Sequence, residues 1–381
     1  MKGKIPMKIA KGLLPFLLII LAVITVTGCS HTDKTDVEGV ITNELDLLKN
    51  LDTDTTRKYV SYKELFPDAT EDTELSKEVK EVFSLFFKDF NYKILTINVD
   101  TDKKEATASL KLTTIDARKL ATDYAKAFLR SEILQAAASD SLTTEESSPS
   151  LEDRYLVLDK LLKKNEYDTV ERDCTITLKD TGTDSEVWEI QRTHTLENDL
   201  VGGLMTYLSD SDLLSPEDTL TVYLKTLKKM DTEQMGNYLG LESLMNSADS
   251  DKNSIAAALV EQVHNNFDFK ITSCETESYT AVVEAAITTF DSNAILSAYQ
   301  EELDTYLSSP DAVIDGSTKR YTTSLNLLLN NIEKNTATTA SSAVFHLMND
   351  GVSWKLQDSN TAIGSAIFGT LSSTPVSQES E

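Results

Sequence analysis

Histidine, cysteine and basic charge are scarce in this chain, and each scarcity excludes a class of chemistry. The four histidines, His31, His194, His264 and His346, stand too far apart for metal-ligand spacing. Three cysteines, Cys29, Cys174 and Cys274, form no short-range pair, so neither a zinc signature nor a disulfide framework is written here. No nucleophile elbow, phosphate loop or Cys–His pairing is present. The segment DSDKNS at 249–254 imitates the start of a calcium loop. It carries Ser254 where the sharp turn needs glycine and Val260 where the bidentate glutamate belongs, which favours a solvated loop. No cofactor and no metal are expected.

Basic residues number 36 against 62 acidic ones, a formal net charge of −26. That balance excludes a nucleic-acid partner and a second, electrostatic contact with anionic lipids or wall polymers. Cys174 and Cys274 read as buried small hydrophobes, because a chain of this length builds its own core; a bridge between them is the alternative. The longest apolar run, Leu13 to Val26, is interrupted by Pro15 and Thr25 and falls short of the roughly 20 residues a spanning helix needs.

What is present begins at that run. Lys2, Lys4, Lys8 and Lys11 precede it with no acid among them, and small residues follow it. A basic head, a short apolar core and a small-residue exit describe a secretory signal. Val26-Thr27-Gly28-Cys29 resembles a bacterial lipobox. The resemblance implies cleavage before Cys29 and thioether-linked diacylglycerol on its sulfur, with further acylation of its amine. Two or more chains on one residue anchor stably, where one chain binds marginally. The expected organisation is a lipoprotein signal peptide at 1–28 and a lipidated tether at 29–36. The chain would then sit on the extracytoplasmic face of a bacterial cell membrane. At about 3.3 Å per residue the tether holds the fold within roughly 25 Å of the bilayer.

Beyond the tether the chain is written twice. LLKNLDTDTTRKYV at 47–60 matches TLKKMDTEQMGNYL at 226–239, and FNYKI at 90–94 matches FDFKI at 267–271. ATASLKLTTID at 106–116 matches AVVEAAITTFD at 281–291. RYLVLDKLL at 154–162 matches RYTTSLNLL at 320–328, and VWEIQ at 187–191 matches SWKLQ at 353–357. The five matches are colinear and their offsets shrink from 179 to 166, as loops shorten. A period this long means a duplicated domain, not a solenoid. The repeats are placed at 37–211 and 212–372, with a disordered tail at 373–381.

Each copy opens with an amphipathic helix: Val37, Ile41, Leu45, Leu48 and Leu51 in the first, Leu220, Tyr223, Leu224, Leu227 and Met230 in the second. A short helix follows behind Asp52 or Asp231 as cap. In copy one a third helix has Val79, Val82, Phe83, Phe86 and Phe87 on its apolar side. Two strands come next, the second alternating Ala106, Ala108, Leu110 and Leu112 with polar residues. Helical stretches at 116–136 and 152–165, a hairpin through Cys174, Ile176, Leu178, Gly182, Trp188 and Ile190, and a small helix near 197–208 complete the copy. Copy two turns at Asn349-Asp350-Gly351. The fold class is α+β: two tandem duplicated domains, each with helices packed on an antiparallel, four-stranded, cone-like sheet. The element order resembles cystatin-like or nuclear-transport-factor-like domains, and with the lipobox it resembles tandem-domain lipoproteins of Gram-positive bacteria. The departure is a helical pair inserted between the two hairpins.

Residues kept in both copies are the candidates for a pocket: Trp188 and Trp354, the only tryptophans, and Arg154-Tyr155 with Arg320-Tyr321 at the starts of equivalent helices. Each tryptophan either packs sheet on helix or lines a ligand cavity. Each arginine either packs a helix start or offers its guanidinium to an anion. The function expected is a non-catalytic module that binds a small ligand or a neighbouring envelope protein. The alternative is a hydrolase or lyase-like enzyme using one cone's pocket, with His194 as first suspect.

Overall fold

The computed structural model describes residues 31–51, 59, 62–67, 76–138, 150–182, 187–245, 247–357 and 359–373. Cys29, the signal segment, Asp52, most of the polar loop before Ser150 and the tail beyond 373 lie outside the described residues.

The first helix, α1, runs His31–Lys49. The segment expected as tether is therefore helical from His31: it contains no proline or glycine, and Asp33 in the first turn suits the helix dipole. Val37, Ile41, Leu45 and Leu48 are buried, whereas Leu51 lies past the helix end, exposed, at φ 63°. Two further helices, α2 (Tyr62–Leu65) and α3 (Lys77–Phe86), precede the sheet, and α3 buries Val82, Phe83 and Phe86. Strands β1 (Asn91–Asp100) and β2 (Glu105–Ile115) form a hairpin. Helices α4 (Ala117–Ala138) and α5 (Leu151–Lys164) intervene before β3 (Thr169–Asp180) and β4 (Trp188–Ile190). Ser150 caps α5 in a reciprocal box with Asp153. The closing helix expected as one element is two, α6 (His194–Leu200) and α7 (Leu204–Leu208). Gly202 and Gly203, at φ 64° and 85°, break it between them.

The second half repeats the order. Helices α8 (Pro216–Leu227), α9 (Thr232–Tyr238), α10 (Glu242–Met245) and α11 (Ser250–Asn266) lead to β5 (Asp268–Glu277) and β6 (Thr280–Phe290). Asp231 caps α9, boxed with Gln234. Then come α12 (Ser292–Leu307), α13 (Pro310–Ile314) and α14 (Ser317–Lys334), followed by β7 (Thr338–Asn349), β8 (Trp354–Leu356) and α15 (Ser359–Phe368). The two sheets are separate antiparallel meanders, β1-β2-β3-β4 and β5-β6-β7-β8. The duplication reaches into local irregularities. Edge strand β1 slips register between Ile94 and Thr96, and edge strand β5 slips between Ile271 and Ser273, the same place in each repeat. Bulged edges discourage pairing with a foreign strand.

On each sheet one face is buried and one is wet. Ala106, Ala108, Leu110 and Leu112 point into the first core; Ala281, Val283, Ala285 and Ile287 point into the second. Burying each larger aliphatic side chain contributes about 1.5–3 kcal/mol. Contacts group the chain into two compact units. One holds α1, both hairpins of the first sheet and α6; the other holds α2, all of α3 but Phe86, all of α4 and α5, and everything from α7 onward. Within the second unit α4 lies against α8 and α9. Ile133 and Ala137 enter that core, Lys126 pairs with Asp218 at 3.0 Å, and Asn237 Nδ2 donates to the Ala137 carbonyl at 3.2 Å.

Candidate functional site

The two tryptophans occupy equivalent ladder positions, Trp188 opposite Asp180 and Trp354 opposite Asn349, and both are buried. Their polar edges differ. Trp354 Nε1 donates to Asp212 Oδ1 at 2.9 Å, and Asn349 Nδ2 donates to the same oxygen at 3.1 Å. Trp188 Nε1 has no partner among the described residues. Asp212 escaped the sequence analysis because it lies in the connection before α8. The signal that finds it is the repeat itself, since an aspartate, Asp33, stands 179 positions earlier.

Arg154-Tyr155 and Arg320-Tyr321 have diverged. Tyr155 is fully buried, with its ring 5.3 Å from Phe66 and 6.0 Å from Phe83, both in edge-on geometry. The Arg154 guanidinium lies 5.6 Å from the Phe66 ring centre and 5.4 Å from that of Phe128. Tyr124 completes this cluster, stacking on Phe128 at 5.7 Å; burial pushes its hydroxyl pKa up, against the pull of Arg154. The guanidinium is therefore within cation–π range of two rings, each contact worth about 0.5–2 kcal/mol. In the second repeat Arg320 is exposed and Tyr321 is 40% exposed, on the outer turns of α14. The six candidate residues are thus three separate settings: two buried indoles, one aromatic–guanidinium cluster and one wet helix start.

The first unit holds a polar cluster that sequence reasoning missed. Arg172 and Cys174 point to the same face of β3, and Asp199 reaches them from α6. Arg172 Nη1 donates to the Gly202 carbonyl. Burial pushes the Cys174 thiol up to about 12, reinforced by the charge of Asp199 and by its hydrogen bond to that carboxylate. Burial also raises Asp199, opposed by Arg172 and by the thiol. A thiol held protonated is a donor rather than a nucleophile, so the arrangement pins α6 to the sheet. Period-two spacing of Arg172 and Cys174 was legible; the arrival of Asp199 was not. Neither Cys174 nor Cys274 is bridged, and Cys274 is half-buried instead of fully buried, because it lies on edge strand β5.

His194 is exposed in the first turn of α6, behind the Thr193 cap. His264 Nε2 hydrogen-bonds the Met230 carbonyl at 2.8 Å, and His346 stands on the wet face of β7. DSDKNS is a helix start and not a loop: Asp249 caps α11 by accepting from the Asp251 N–H at 3.0 Å. Among the described residues no three His, Cys, Asp or Glu side chains gather as metal ligands. Two surface depressions stand out. One of about 650 Å³ lies along α12 beside Gln300, Glu301 and Asp304; the other, of about 680 Å³, lies beside Lys119, Asp123 and Tyr167. Both are open to solvent, and Asp123 is already engaged by Lys119 at 2.6 Å. No described helix is long and apolar enough to cross a membrane.

No family model matches the chain, and no curated protein matches it either. Among solved structures it is similar to a candidate lipoprotein, ycdA, from Bacillus subtilis subsp. subtilis str. 168. The two share 12% identity over 74% of this chain and 94% of that one, with a TM-score of 0.27.

Proposed function

We propose that this chain is an extracytoplasmic lipoprotein, anchored through lipid on Cys29, whose two cone-like α+β halves form a non-catalytic binding module. The observation that carries the anchor is the order of residues at the N-terminus: four lysines, an apolar run of signal length, then Val26-Thr27-Gly28-Cys29. The binding reading is supported by the chemistry of the buried polar groups. The thiol–carboxylate–guanidinium cluster of Cys174, Asp199 and Arg172 is tuned toward a protonated, inert thiol. The hydrolase or lyase-like alternative needs a base in a cleft; His194 stands exposed on a helix turn.

Metabolic labelling with a fatty acid in a bacterial host tests the anchor. Wild-type chain is expected to take up label and be cleaved before Cys29, and Cys29→Ala to lose both. Equal labelling of the two overturns the assignment. Cross-linking at the native cell surface tests the binding module, and failure to recover any specific partner or ligand counts against it.

A further inference from the structure

The buried faces of the two sheets have been kept alike, but their wet faces have not. In the first sheet the outward positions of these β2–β3 pairs are polar: Thr107 pairs with Thr177, Ser109 with Thr175, and Lys111 with Asp173, the last as an ion pair at 3.0 Å. At the corresponding ladder positions the second sheet pairs Val282 with His346, Glu284 with Val344, and Ala286 with Ser342. The next pair, Glu105 with Lys179 in the first sheet, becomes Thr280 with Met348. Val344 is 48% exposed, Met348 43% and Val282 36%. At the end of this stripe the two hairpin turns present Tyr279 and Val352, 70% and 73% exposed; the turns are tied by the Asn349 N–H donating to the Tyr279 carbonyl at 2.8 Å. Along the outward positions of β6 and β7 the one charged group is Glu284.

We infer that the wet face of the second sheet is a dimerisation surface that packs against the same face of a second copy of this chain. Charge supports a copy as the occupant. The cross-strand row Glu277–Thr280–Met348–Lys355 has an acid at one end and a base at the other. A two-fold axis lying along the strands between β6 and β7 exchanges the ends of such a row. Glu277 of each copy then faces Lys355 of the other, which also pairs with Asp350 of its own chain at 3.0 Å, and Val282 faces His346. Two chains of net charge −26 repel each other over most of their surfaces; Asp268, Glu275 and Glu277 line the β5 side of this face, so the β6–β7 stripe, where Glu284 is the one carboxylate, is where they can meet. Size supports it too. Strands of this length at 3.3 Å per residue and about 4.8 Å spacing, with the turns, give roughly 600 Å² per copy. The pair buries roughly 1,200 Å² in all, the lower bound of specific interfaces, which fits a reversible dimer. This surface is independent of the ligand or partner the module takes.

The test uses the full chain in membranes of an expressing bacterium. V344C is expected to give a disulfide-independent dimer with a bismaleimide spanning on the order of 10 Å, the separation of stacked sheets. T175C, at the matching position of the first sheet, is expected to give none. Co-purification of two differently tagged copies should fall at least tenfold for V344K, fall for E277K, and recover for E277K/K355E. It should rise for E284Q, which removes the lone carboxylate from the stripe. Equal cross-linking of T175C, unchanged co-purification of V344K, or V344C products formed with other proteins or lipid instead of a second copy each overturn the inference.

Discussion

The indole of Trp354 and the carboxylate of Asp212 are joined by a 2.9 Å hydrogen bond that ties the short last strand to the connection entering α8. Asn349 shares the acceptor and also donates to the Ser211 carbonyl at 3.1 Å, so removing the carboxylate leaves the indole N–H of the buried Trp354 unpaired and Asn349 with one acceptor fewer. Asp212→Ala is expected to cost about 1–3 kcal/mol. Trp188→Phe should cost less through its nitrogen, which has no partner among the described residues. In a Trp188→Phe background the remaining indole reports the second sheet alone. Urea unfolding followed by its fluorescence should show an earlier midpoint for Asp212→Ala; an unmoved midpoint would refute the role given to Asp212.

Thiol reactivity separates the two internal cysteines. Cys174 is buried with its pKa pushed up to about 12, while Cys274 is half-buried on an edge strand. A native sample at pH 8 is expected to lose Cys274 to iodoacetamide first, with Cys174 labelled only as the chain unfolds. Peptide mapping against time checks this, and comparable initial rates at both thiols would be incompatible with the arrangement.

Helix periodicity and strand alternation were legible because each buried face repeats a simple spacing. Ile41, Leu45 and Leu48 mark one helix, and Ala106 to Leu112 mark one strand. The duplication made the sheets legible twice over. What the residues did not disclose is where pairs meet. Arg154 and Arg320 open equivalent helices, yet one is clasped by Phe66 and Phe128 and the other is solvated. Internal repetition preserves the side chain without preserving its neighbours. Asp199 and Asp212 were missed for the same reason: a lone carboxylate in an acidic chain carries no local signature, and its partner arrives from another element.

Gly202 and Gly203 adopt left-handed backbone in succession, which splits α6 from α7 and presents the Gly202 carbonyl to Arg172. A Cβ at either position costs roughly 1–2 kcal/mol. Gly203→Ala is expected to lower the thermal midpoint by several degrees, while Gly39→Ala, at a half-buried position of α1 with open space around an added Cβ, should leave it equal or raised. Differential scanning calorimetry of the two variants decides it, and the reverse ranking would sink the argument.

Asp350 ties stability to acid. Its burial raises the carboxyl pKa, but N–H groups of Ser353 and Val352 and the ammonium of Lys355 outweigh that and hold it down at about 2. The folded value lies below the ordinary 3.8, so the folded state releases this proton more readily than the unfolded chain. The stabilisation is therefore complete above about pH 4 and is lost as pH falls toward 2. The side chain is 32% exposed, so solvent screening reduces the effect to about 1 kcal/mol. Asp350→Asn should lower stability by that amount at pH 7 and make the wild type and the variant converge near pH 2. Denaturation midpoints across pH 2–7 measure the gap; a difference that widens toward acid would reverse the sign and exclude this turn as the source.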